Sequence, residues 1–255
     1  IIDEQGNLED TAALFHDGAL DYLDRKVLLR GIDARRLRRV ISFTAGGYST
    51  APESAKPRDA SNEEAYPYIP SGNNWNSVKT GQEYTFYLMF VELDNQITLK
   101  NQFSDVQLNI AVNKFKDFIE RMVAPEHGRI WMWNEFGGLI LFPYSGTGFS
   151  AVLACMRLVL SRKIFSVEEL NFKKIVSYRI ALHIGNTVYR KRGDTGTIIS
   201  SSINTIFHLG KRYVKPGNFY ITSDVYRHLP QKVKKTFRAA GSFEGHEIVK
   251  MRLPV

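Results

Sequence analysis

Residues 84–142 open with YTFYLMFVEL (Tyr84–Leu93) and close with RIWMW (Arg129–Trp133) and GLILF (Gly138–Phe142). The first is a compact apolar run rich in aromatics, the composition of a buried strand. Between them, Val106, Ile110, Ala111, Lys114, Phe118, Ile119 and Met122 recur at a helical period. Gln107, Asn109, Asn113, Lys116, Asp117 and Glu120 fill the opposite face. Pro125 and Gly128 end that helix. The last two runs flank Asn134, Glu135, Phe136 and Gly137, which predicts a hairpin. Strand, helix and hairpin in this order predict the first half of an α+β layer fold.

Working outward, a helix is expected over Phe149–Leu160 and a strand over VSYRIALHIG (Val176–Gly185), with TVYR (Thr187–Arg190) as a short partner strand. KRGDTGT (Lys191–Thr197) reads as an exposed turn. A helix over Ser201–Tyr213, a strand over Asn218–Thr222 and a short helix capped by Ser223 follow. The tail, with Phe237, Phe243, Ile248, Val249 and Met251, supplies one or two closing strands. The order β-α-β-β-α-β is that of a ferredoxin-like core. Upstream, residues 10–43 carry a helical pattern interrupted at Gly31. Residues 44–82, with four prolines and many Ser and Asn, read as a loop that Tyr66, Tyr68, Ile69 and Trp75 pin to the domain. Three segments are therefore expected: 1–43 helical, 44–82 linker and 83–255 the folded domain.

Composition narrows the classes. The single cysteine, Cys155, sits among Ala151, Val152, Leu153, Ala154 and Met156, so it reads as a buried apolar residue and excludes a disulfide framework. His16, His127, His208, His228 and His246 share no metal-ligand spacing, so a zinc site is not expected, and His183 reads as a hydrogen-bonded core histidine. No apolar run reaches the roughly 20 residues of a membrane span. The first residue is Ile, and the chain reads as a piece of a longer one whose upstream domains, a membrane anchor included, stay open. The net charge of +8 concentrates at Arg25–Arg39 and Lys211–Arg238. A solvated helix face accounts for the first block better than contact with nucleic acid or an anionic membrane.

A family resemblance rests on the order of four motifs. RIALHIG (Arg179–Gly185) resembles the R-I-G-I-H-x-G strand of class III adenylate and guanylate cyclases. IISSSINTIFHLGKRYVKPGNFYITSDVY (Ile198–Tyr226) is similar to the G-D-x-V-N-x-A-x-R-L helix and P-G-x-I-x-x-S strand that follow it there. HGRIWMWNEFGGLILF (His127–Phe142) resembles the G-G-x-x-x-K-x-x-G-D hairpin, and FVEL (Phe90–Leu93) stands where the family has F-x-D-I. The likeness runs from about Phe86 to Met251. It implies a head-to-tail dimer with a nucleoside triphosphate at the interface. In the family two carboxylates hold two metal ions, a Lys and an Asp read the purine, and an Asn and an Arg support the transition state.

Carried over by position, the first metal carboxylate falls on Glu92 and the second on Phe136, which offers no ligand. The purine-reading pair falls on Met132 and Ser201, and the Arg on His208. Asn204 alone is kept as the family has it. A slip of register promotes Asp94 or Glu135 to the metal roles at the expense of Phe90 or Phe142. Phenyl in place of carboxylate leaves a hard divalent cation without its oxygen ligand.

The expectation is a cytoplasmic cyclase-homology domain without cyclase chemistry. It would need no cofactor and would form a homodimer or cyclase-type heterodimer that regulates a protein partner or an attached domain. The alternative is a divergent cyclase using Mg or Mn through Glu92 with Asp94 or Glu135. A third reading is a nucleic-acid- or membrane-contacting module. Ser200, Ser201 and Ser202 read as an N-cap and first turn in preference to a helix-start anion site. On an alternating strand, Trp131 and Trp133 are expected on one face and Met132 on the other.

Overall fold

The computed structural model describes residues 2–3, 23–24, 68–146, 149–170, 176–190 and 200–253. The chain divides into two compact units, Ile1–Tyr68 and Ile69–Val255. In the first, the two-residue strands Ile2–Asp3 and Leu23–Asp24 pair in parallel, so a strand stands at 23–24 where helical periodicity was read. The rest of that helical stretch, the basic block Arg25–Arg39 and the turn Lys191–Thr197 lie outside the described residues.

The second unit contains β1 (Glu83–Leu93), α1 (Gln96–Gln102), α2 (Asp105–Val123), β2 (Arg129–Asn134), β3 (Gly137–Pro143) and α3 (Ser150–Ile164). It continues with β4 (Tyr178–Val188), α4 (Ser201–His208), β5 (Phe219–Thr222), α5 (Ser223–Arg227), α6 (Gln231–Lys234), β6 (Phe237–Phe243) and β7 (His246–Met251). The seven strands form one mixed sheet in the order β2-β3-β1-β4-β5-β7-β6. The first four, mutually antiparallel, are the ferredoxin-like core. β5 then joins β4 in parallel, and the β6–β7 hairpin closes the far edge.

β1 is central and buried on both faces, which is why its sequence is apolar without alternation. Tyr87, Met89, Val91 and Leu93 point into the larger core with α2 and α3, where Phe118 stacks on Phe165 at 4.2 Å. Phe86, Leu88 and Phe90 point to the other face, where Phe90 meets Phe207 of α4 edge-on at 5.8 Å. A methyl on Gly210 would lie 2.1 Å from a Phe90 ring carbon, so glycine there is what lets the end of α4 approach the sheet. Gly137 and Gly138 serve the same need within the hairpin. A side chain on either would fall 2.1 Å from the carbonyl oxygen of Val91 or Met132 respectively.

Several sequence expectations shift in detail. α2 starts with a capping box between Ser104 and Gln107. It buries Leu108, Val112, Phe115, Phe118, Ile119 and Val123, leaving the expected core residues Val106 and Ile110 on the surface. Thr187 and Val188 extend β4 and are not a separate strand, because β1 pairs alongside as far as Glu83 opposite Val188. α3 and α4 each run on into a π-helical turn, Phe165–Glu169 and Leu209–Tyr213. Thr222, not Ser223, occupies the N-cap of α5. Residues ahead of β1 belong to the second unit from Ile69 onward. Thr85 accepts at Oγ1 from the Ile69 N–H and donates its own N–H to the Ile69 carbonyl, each at 2.7 Å, and Trp75 stacks on Phe86 at 5.7 Å.

Candidate functional site

The face of the sheet under α4 gathers most of the residues singled out in the sequence. Across β2, β3, β1 and β4 the register places Met132 opposite Leu139, Leu139 opposite Phe90 and Phe90 opposite Ala181. The next row on this face is Asn134, Gly137, Glu92 and Arg179. Asn204 and His208 lie on α4 above it, both buried, and Ser201 is exposed at its first turn. Ser200 stands at the N-cap but donates its hydroxyl to the Asn186 carbonyl at 2.6 Å and caps no helical N–H.

Glu92 is 5% exposed, and its carboxylate is bonded by the ammonium of Lys211, which the π-turn after α4 delivers. A cation is therefore already supplied to this carboxylate by the chain itself. Phe136 holds the hairpin corner through its backbone, whose carbonyl accepts from Leu93 N at 2.9 Å. Its ring is buried in the α2–α3 core, on the side away from Glu92, with the Lys100 ammonium 5.0 Å from the ring centre. Met132 is buried between the strands with no ligand atom for a purine edge beyond its thioether. His208 turns Nδ1 to Glu244 Oε1 at 3.0 Å.

Asp94, the substitute carboxylate if the register slips, is fully occupied. It takes Arg179 Nε at 2.7 Å on one oxygen, and Ser177 Oγ at 2.7 Å and Gly217 N at 2.8 Å on the other, and its side chain is 0% exposed. Glu135, the other substitute, pairs with Lys100 at 3.0 Å on the surface of the hairpin tip. The donor set around Glu92 thus does not fit the two-metal centre that the fold family implies. One carboxylate is paired, the position that the resemblance gives to the second is a phenyl ring, and the nearest spare acid is sealed by three donors.

The two tryptophans of β2 separate, contrary to simple alternation. A bulge between Ile130 and Met132 makes Trp131 the extra residue; its indole donates to the Arg190 carbonyl at 2.8 Å. Trp133 instead packs against Phe115, in the α2–α3 core.

A scan against protein-family models returns no match, and neither does a search of curated proteins. Solved structures do align. The guanylate cyclase domain of RhGC from Catenaria anguillulae in complex with GTP is 16% identical with a TM-score of 0.54, over 67% of this chain and 98% of that one. The adenylate/guanylate cyclase/hydrolase from Silicibacter pomeroyi is 17% identical with a TM-score of 0.54, over 68% and 99%. The adenylyl cyclase CyaB from P. aeruginosa is 14% identical with a TM-score of 0.52, over 68% and 96%. The fold is that of the class III nucleotide cyclase catalytic domain. Within this cyclase fold, the alignments take in 96–99% of those three chains.

Sequence reasoning missed Lys211, although Asn204, His208 and Lys211 are spaced i, i+4, i+7 along one helical stretch. It also missed a second cluster on this face of the sheet. His183 lies within 3.1 Å of the Thr222 hydroxyl, its ring centre is 5.1 Å from that of His246, and His246 Nδ1 is 3.3 Å from Asp224 Oδ2. His183, Asp224 and His246 together offer three ligand atoms, all within 4.8 Å of one another, a metal-capable grouping that sequence spacing does not announce. Strand neighbours far apart in sequence leave no spacing signature, so no local motif announced it.

Burial, reinforced by His246 and opposed by Asp224, pulls the His183 pKa down to about 3. The hydrogen bond from His246 holds the Asp224 carboxyl below its ordinary range, against burial. The unfolded chain therefore binds protons that the folded one refuses, and stability rises with pH in this window. The metal-free protein is expected to lose stability progressively from about pH 6.5 down to about pH 3, by at most about 1.4 kcal/mol per pH unit from His183. Urea denaturation across that range checks it: His183→Gln should flatten the acid limb above pH 4.

Proposed function

We propose that this chain is a noncatalytic cyclase-fold module, a dimerising regulatory or interaction domain of signal transduction. The single observation that carries this reading is the Glu92–Lys211 ion pair at the position of the first metal carboxylate. Catalysis by this fold's family needs two cations bridging phosphates and ribose oxygen, with charge neutralised as phosphoryl transfer proceeds. Here an ammonium stands against the first carboxylate, and an aromatic ring buried in the opposite core holds the second position. Removing one such electrostatic contributor costs about 3 kcal/mol of transition-state stabilisation, and the purine-reading and Arg positions are replaced as well. Dimerisation is carried over from the resemblance, and among the described residues no helix is long and apolar enough to cross a membrane. A cytoplasmic setting is part of the same reading.

The test is direct. The full chain incubated with ATP or GTP and Mg or Mn should yield no cyclic nucleotide and show no metal-dependent nucleotide binding by titration calorimetry. Product that disappears in Glu92→Ala, or in Glu135→Ala, would establish the divergent-cyclase alternative instead. A monomer in sedimentation at every accessible concentration would remove the dimeric half of the proposal.

A further inference from the structure

β4, β5, α5 and β7 bring three metal-capable side chains together where the ferredoxin-like core meets the strands added to it. The parallel pairing of β4 with β5 aligns Leu182 with Ile221, which sets His183 beside Thr222 at the end of β5. The chain turns there directly into α5, so Asp224 projects from its first turn. β7 runs antiparallel to β5 with Ile248 opposite Thr222, and its first residue, His246, therefore reaches past the end of β5 alongside α5. Strand register and the turn into α5 thus bring three separate elements together.

The geometry is close to that of a liganded site. Two donors bonded to a tetrahedral ion at about 2.0–2.1 Å stand roughly 3.3 Å apart, and Asp224 Oδ2 and His246 Nδ1 are separated by 3.3 Å. The third donor lies within 4.8 Å of both, so a small rotation of a side chain closes the set. His183 is buried and the Thr222 hydroxyl holds its ring, as outer partners do for ligating imidazoles. His246 and Asp224 side chains are 30% and 20% exposed, which leaves an entry path and an open position for water. Among the described residues, Arg227 also faces Asp224, at 3.4 Å and largely in solvent.

We propose that His183, Asp224 and His246 bind a divalent first-row transition cation, zinc above all, and that the bound ion fastens β4, α5 and β7 together. Two imidazoles and one carboxylate are the donors such ions take. Magnesium and calcium, which need oxygen shells, are poorly served. The site involves none of the residues at the Glu92 end and stands or falls independently of the noncatalytic reading.

Zinc titrated into the metal-free full chain is expected to bind at one equivalent and to raise the melting temperature, since the ion binds the folded state alone. Cobalt in its place should give the intense visible absorption of a tetrahedral N/O site. His246→Ala and Asp224→Asn, both at partly exposed positions, should each weaken zinc binding by at least about tenfold and abolish the thermal shift. They carry the test because truncating the buried His183 to alanine would leave a cavity in the fold. No zinc binding at about 100 µM, binding unchanged in both variants, or equal binding of magnesium would each overturn the site.

Discussion

Asp94→Ala is expected to lower the stability of the cyclase-fold unit by about 3–5 kcal/mol, the cost of breaking a buried ion pair by removing one partner. The carboxylate sits at the C-terminal end of β1 and ties it to Ser177 and Arg179 flanking the start of β4, and to Gly217 before β5. Deleting it strands the Arg179 guanidinium, 19% exposed, together with a hydroxyl and a backbone N–H. Asp94→Asn keeps the shape and one acceptor, and should cost about 1–3 kcal/mol, the charge-assisted part of those bonds. Urea unfolding of both variants measures the difference. The result also bears on function, because a metal-binding carboxylate commonly trades stability for activity. An Asp94→Ala protein that folds as well as its parent would mean the three contacts carry no weight, and would return Asp94 to candidacy as a ligand.

What was legible in the chain follows from which signals are local. The ferredoxin-like order could be read because β1, β3 and β4 are buried on both faces and so appear as unbroken apolar runs, while the hairpin announces itself by Asn134 and the Gly137–Gly138 pair. The phase of α2 was misread because Val106 and Ile110 are apolar yet exposed, and periodicity alone does not say which of two apolar stripes faces the core. Trp131 was misplaced because a bulge adds one residue, and nothing in alternation marks where. The position-by-position transfer named Glu92 and Asn204, and the fold sets both on the α4 side of the sheet. The transfer did not reveal that Glu92 is paired, since that depends on a π-turn that brings Lys211 down onto the sheet. The His183–Asp224–His246 group was invisible for the same reason: its members are adjacent only through strand register.

Lys211→Met should cost about 3 kcal/mol, and most of that should return in the double variant Lys211→Met/Glu92→Gln. Methionine keeps most of the stem that the lysine packs, so the single variant reports chiefly the loss of the ammonium. Glu92 is 6% exposed at its side chain and Lys211 31%, so the carboxylate, not the lysine, bears the penalty of being left alone. The double variant replaces a buried charge by a neutral amide of the same size, which removes that penalty, and a denaturation cycle over the four proteins gives the coupling. The same variant probes the chemistry of the face under α4. If the lysine were the only obstacle to catalysis, freeing Glu92 would let the Lys211→Met protein bind a nucleotide with manganese. The expected result is that it does not. A single carboxylate cannot hold two cations against a triphosphate, and the ring of Phe136, turned into the opposite core, supplies no second one.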